Sequence, residues 1–182
     1  MYSLARVAGV FALWLGCAWS ASAAGEARQF DFLLGQWELS GAIKVSGLVA
    51  LVHGQPKLAG SWKAWRTSDG AIEDDMKLTD ASGNPASNAH FVRSFSREEN
   101  CWKITGSDAS RGTLQPATGR WQGDEMLVMG SGTSHEGKRY QTRTHYLAIT
   151  PASFRMVQDR SFDDGKTWDE AVVTLNARRT GS

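Results

Sequence analysis

Two-residue alternation constrains this chain more than any other feature. In Phe91–Arg97 the two Phe and the two Arg share one face and small residues share the other. Cys101–Thr105 sets Trp102 and Ile104 on one side. Glu125–Gly130, Tyr140–Thr150, Phe154–Arg160 and Glu170–Arg178 continue the theme; Trp37–Leu39 and Leu48–Val52 open it, and Trp62–Thr67 and Ile72–Thr79 carry weaker versions. Residues two apart on an extended strand point the same way, so such runs bury one side of a sheet. The gaps hold Asp69-Gly70, Gly83-Asn84, Gly123-Asp124 and Asp164-Gly165, pairs that supply the positive φ of hairpin turns. With 8 Trp and 19 Gly against 4 Pro and no long helical period, the composition agrees. The expectation is an all-β chain forming a single antiparallel up-and-down barrel of about 8–10 strands. The one helix-like piece, Glu26–Leu34, reads as a short turn leading into the first strand.

The first residues follow a different rule. Arg6, the apolar run Val7–Trp19 and the small-residue site Ala21-Ser22-Ala23 read as a secretory signal peptide, residues 1–23, ahead of one domain, 24–182. Cleavage after Ala24 fits nearly as well. The apolar run is too short to span a bilayer, so the mature chain is expected to be periplasmic or secreted, with no integral membrane span. Leu15-Gly16-Cys17 looks like the end of a lipoprotein signal, but Trp14 stands where such signals use Leu, so anchoring at Cys17 is not expected. Loss of residues 1–23 removes Arg6, the one charge there, and leaves a formally neutral chain. A neutral chain offers no field for nucleic acid, which is not expected as a partner. Cys101 is then alone and reads as a buried small hydrophobe.

Two motifs add structural content. Phe30-Asp31-Phe32-Leu33-Leu34-Gly35-Gln36-Trp37 resembles the lipocalin and calycin signature. In those barrels the Trp closes one end and packs against an Arg of the last strand. The resemblance thus implies roles for Gly35, Trp37 and the terminal Arg178-Arg179 pair, with Arg178 taken as the partner. Ser161–Trp168 resembles the Asp-box hairpin of sialidase-like propellers. There Asp163 would cap turn donors, Gly165 would take the strained position and Trp168 would pack the hairpin. A propeller needs several copies, and one is present, so this is a turn device and not a sign of glycosidase activity. Together the motifs resemble a bacterial family of secreted lipocalin-like proteins of unknown function, which implies a barrel and no particular activity.

Chemistry is sparse. No nucleophile elbow, dinucleotide loop, zincin helix or haem-attachment motif occurs. Asp74-Asp75 and Asp163-Asp164 are adjacent pairs whose members would face opposite ways, unsuited to shared acid–base work. His53, His90 and His135 read as solvated or strand-edge residues; no metal site, cofactor or catalytic residue is expected. His145 differs, because it lies within a strand and alternation groups it with Gln141, Arg143, Leu147 and Ile149. If that face points inward, His145 could ligate haem, as in nitrobindin-like barrels, or bind a polar headgroup.

Two strand faces mix apolar and polar residues, and a core excludes unpaired charge. The candidate ligand-binding residues are therefore Phe91, Arg93, Phe95, Arg143, His145, Met156, Gln158 and Arg160. The rival explanation is that the arginines snorkel outward from strand ends. The leading expectation is an exported barrel that binds a small apolar or amphipathic ligand without catalysis. The alternatives are a haem or small-molecule enzyme using His145, and a filled-barrel interaction protein of the envelope. Oligomeric state stays open.

Overall fold

A computed structural model describes residues 25–45, 55–134 and 136–181. Residues 1–23, which the sequence reading takes as a signal peptide, and Leu48–Val52, His53 and His135 lie outside the described residues. Eleven strands follow in order: β1 (Gly35–Ile43), β2 (Lys57–Arg66), β3 (Ile72–Asp80), β4 (Pro85–Ser96), β5 (Cys101–Asp108), β6 (Gly112–Thr113), β7 (Ala117–Gln122), β8 (Glu125–Thr133), β9 (Arg139–Leu147), β10 (Ser153–Ser161) and β11 (Asp169–Gly181). Neighbours in sequence pair antiparallel, β5 pairs with β7, and β11 returns to β1. The result is a closed up-and-down barrel with β6 as a side hairpin on β5. Closure removes the exposed sheet edges that invite aggregation. Among the described residues no helix is long and apolar enough to cross a membrane.

One end of the barrel is plugged. Residues 25–34 form turns and a 3-10 helix at Asp31–Leu33, which bring Phe30 and Leu33 to full burial. Phe30 meets Trp102 edge-on at 5.1 Å and Tyr146 at 5.9 Å; Phe154 meets Trp37 at 4.8 Å and Trp62 at 5.7 Å. Each such side chain contributes about 1.5–3 kcal/mol by leaving water. Trp37 also donates its indole N–H to the Leu33 carbonyl at 2.7 Å, tying plug to barrel.

The arginine that covers Trp37 is Arg179, not Arg178. Its guanidinium carbon lies 4.1 Å from the ring centroid, and it donates to the carbonyls of Leu34 (2.5 Å) and Pro151 (2.6 Å). Adjacent strand residues face opposite ways, so Arg178 points outward, where it pairs with exposed Glu38 at 2.7 Å. Unbroken register from Leu39↔Ala177 through Glu38↔Arg178 to Trp37↔Arg179 sets Arg179, not Arg178, on the inner face with Trp37.

β7 escaped the alternation reading because its inward residues are small. Gly119 sits opposite Trp102, and a Cβ there would lie 3.2 Å from the Phe30 ring. The strand provides room instead of bulk.

Candidate functional site

Along the strands, inward positions change from large to small. β1 passes from Trp37 and Leu39 to Gly41, β2 from Trp62 to Gly60, β5 from Trp102 and Ile104 to Gly106, and β8 from Met126 and Val128 to Gly130 and Gly132. Antiparallel order puts these large residues toward the plugged end and these glycines toward the other, where Leu58 and Leu78 are also buried. Two of these glycines lie directly beneath aromatics of the next strand. A Cβ on Gly106 would come 2.6 Å from the Phe91 ring, and one on Gly132 2.5 Å from the Tyr140 hydroxyl. Only glycine lets those rings lie flat on the neighbouring strand.

The closed half seals an ion pair. Arg93 and Asp74 are 3% and 0% exposed, with Nε to Oδ2 at 2.6 Å and Nη2 to Oδ1 at 3.1 Å. Trp62 adds its indole N–H to Asp74 at 2.8 Å, and the Arg93 guanidinium lies 5.0 Å from the Phe30 centroid. Burial alone would lower the Arg93 pKa, but the Asp74 charge, helped by Tyr146, outweighs it and raises it. Arg93 thus neither awaits a ligand nor snorkels; it is spoken for within the core. Phe95 stays at this end too, packed on Trp102 at 5.6 Å.

In the open half, Phe91, Met156, Gln158 and Arg160 share the inner surface with Met76, Thr142, Thr144 and Tyr140. Gln158 donates to Thr144 Oγ1 at 3.1 Å. The Arg160 guanidinium stacks 4.5 Å from the Tyr140 centroid, and Tyr140 meets Phe162 at 5.8 Å. Met76 is partly exposed although Asp74 and Leu78, its inward neighbours, are buried; Phe91 stands likewise between buried Ala89 and Arg93. Solvent therefore reaches the middle of the inner wall. It enters past β8–β11, where Gly130, Thr142, Gln158 and Val173 are all partly exposed.

Arg143 and His145 do not join this set. Their neighbours Thr144 and Tyr146 are buried, with Tyr146 in the core, so Arg143 and His145 face outward. There His145 Nδ1 lies 3.0 Å from Glu125 and Nε2 3.6 Å from Asp159. Arg143 donates to Asp159 at 2.6 Å and lies 4.5 Å over Trp168. Asp159 also accepts the Ala171 N–H at 2.8 Å, where Ala171 makes a bulge at φ 55°. Burial would raise the Asp159 pKa; that N–H and Arg143 together lower it instead. His145 cannot ligate a molecule held in the lumen.

The hairpin after β10 is closed by its own side chains. Asp163 accepts from the Thr167 hydroxyl at 2.6 Å and the Thr167 N–H at 2.9 Å; the Gly165 N–H donates to Ser161 Oγ at 2.8 Å. Gly165 takes φ 82°, and the Trp168 indole N–H donates to its carbonyl at 3.1 Å. These bonds, the Thr167 hydroxyl first, hold Asp163 down to about 2. Among the described residues no cluster of His, Cys, Asp and Glu could hold a metal ion.

No protein-family model and no curated protein matches the sequence. Solved structures do resemble the fold. Rv2717c of M. tuberculosis superposes with a TM-score of 0.59 at 15% identity, over 85% of this chain and 97% of that one. The S-type phycobiliprotein lyase CPES of Guillardia theta gives 0.55 at 10% identity, over 87% and 97%. This chain has the fold of a lipocalin-like β-barrel.

Proposed function

We propose that this chain is an exported barrel that binds a small apolar or amphipathic molecule in the open half of its lumen, without transforming it. The supporting observation is the partial exposure of Met76 and Phe91 between buried inward neighbours. An apolar wall with a few convergent polar groups is the usual make-up of a ligand pocket. Export rests on the pattern of residues 1–23 alone. The His145 alternative draws no support from a residue that faces away from the lumen.

Nile red, a neutral solvatochromic dye, tests binding. It is expected to bind saturably with one molecule per barrel, and Gln158→Trp, which fills the lumen, is expected to abolish the signal. A signal that does not saturate, or one that survives Gln158→Trp in a folded variant, defeats the lumen reading. Mass spectrometry of the protein recovered from the periplasm tests export: the chain is expected to begin at Ala24 or Gly25, and retention of residues 1–23 defeats that part.

A further inference from the structure

We propose that the polar end of the ligand is an anion, with a carboxylate as its simplest form, and that Arg160 at the mouth is its anchor. This rests on the lumen reading above and specifies the class of molecule that enters. Charge on the inner wall is mostly compensated from within. Asp74 and Arg93 satisfy each other. Asp108, at the rim, is buried and accepts from Ser87 (2.7 Å), from the Ser110 hydroxyl (2.5 Å) and from Arg111 (3.3 Å). Asp80 is occupied by Asn84 and by the N–H groups of its own turn. Asp169, the register partner of Arg160, is taken by Lys44 at 2.6 Å.

Arg160 is left over. Among the described residues no acceptor reaches it, and its Nε is cut off from water with no hydrogen-bond partner. A buried, unpaired donor on a charged group is costly, so a partner supplied from outside is strongly favoured there. An unpartnered donor is not by itself a site: Trp102 Nε1 is also unpaired, but it is sealed between Phe30 and Phe95 where nothing can arrive. Arg160 differs because it is partly exposed, on the solvent-reached side of the barrel.

The geometry selects the partner. Stacking on Tyr140 at 4.5 Å fixes the guanidinium plane, and Tyr140 is held by Gly132 beneath it and Phe162 beside it. A fixed guanidinium is a rigid fork of N–H donors with no acceptor, the complement of a carboxylate. Deeper on the same face lie Gln158 and then Met156, with Phe91 and Met76 on the opposite wall. A molecule with an anionic head and an apolar body matches that sequence of surfaces.

The test compares decanoate with 1-decanol, equal in chain and different in charge, as displacers of Nile red. The wild-type protein is expected to hold decanoate about ten- to a hundredfold more tightly. Arg160→Gln is expected to erase that preference while decanol binding stays within about twofold, and Arg160→Lys to keep part of it. Arg155→Gln, on the outer side of β10, is expected to change neither. Equal wild-type affinities, or a preference that survives Arg160→Gln, overturn the anion proposal and leave the lumen reading standing. Failure of both displacers and of the dye overturns both. If Arg160→Gln does not fold, the wild-type ratio and Arg160→Lys decide the matter.

Discussion

At the plugged end, Trp37, Trp62, Trp102, Tyr146 and Phe154 close on Phe30 and on an ion pair that no water reaches. A few residues further along the same strands, the inward positions are Gly41, Gly60, Gly106, Gly130 and Gly132, with threonines on β9. The barrel thus divides its labour lengthwise. The closed half supplies most of the buried core, and the open half presents partly exposed inner residues and, among the described residues, Arg160 with no acceptor. Substitutions in the two halves should separate accordingly, the closed half governing stability and the open half occupancy.

The largest effect should come from Asp74→Leu, which strands the Arg93 charge in the core. Urea unfolding should show a loss of about 3–5 kcal/mol, with most of it recovered when Arg93→Met is added. A loss under about 1 kcal/mol would mean that the closed half does not depend on its ion pair. Arg179→Gln should cost about 2 kcal/mol, because it removes a cation over an indole and charge-assisted bonds to two carbonyls. Arg178→Gln, one residue away and solvated, should cost almost nothing, and equal losses would erase the inside–outside distinction.

Acid sharpens the comparison next. The pKa of Asp163 is lowered from 3.8 to about 2, so its contribution is whole above pH 4 and fades as pH falls toward 2. Asp163→Asn should flatten that part of the stability-versus-pH curve without altering ligand occupancy at pH 7. The smallest effect belongs to the open half. Thr142→Val, on a partly exposed inner position, should shift stability by no more than about 0.5 kcal/mol. A loss comparable with that of Asp74→Leu would show that the mouth is a structural core after all.

The sequence made some of this visible and hid the rest for physical reasons. Trp37, the 161–168 hairpin and the strands with bulky alternating residues were legible because each signal is local. β7 and the first half of β4 were not, since Gly, Ala and Ser face inward there and give no hydrophobic period. His145 was misplaced for a more specific reason. Alternation groups His145 with Ile149, but Ala148 adopts φ 48° and flips the chain, so Ile149 packs on the core while His145 stays outside. Arg93 looked like a ligand residue because its partner lies on another strand, 19 residues away. Arg160 and Arg93 carry the same sequence signal, and only the fold distinguishes the compensated arginine from the uncompensated one.

The seam between β1 and β11 has a consequence for how the molecule comes into being. Glu38 and Arg178, 140 positions apart, are register partners across it. Arg179, which locks Trp37, lies on β11, the last strand of the barrel. The barrel therefore cannot shut until β11 has been made. Until the last strand emerges, β1 and β10 are both open edges, and a half-made chain is a sticky curved sheet. Closing so long a loop also raises the contact order and slows folding. The end of β11 acts as a latch: a chain cut before Arg178 is expected to lose the whole barrel.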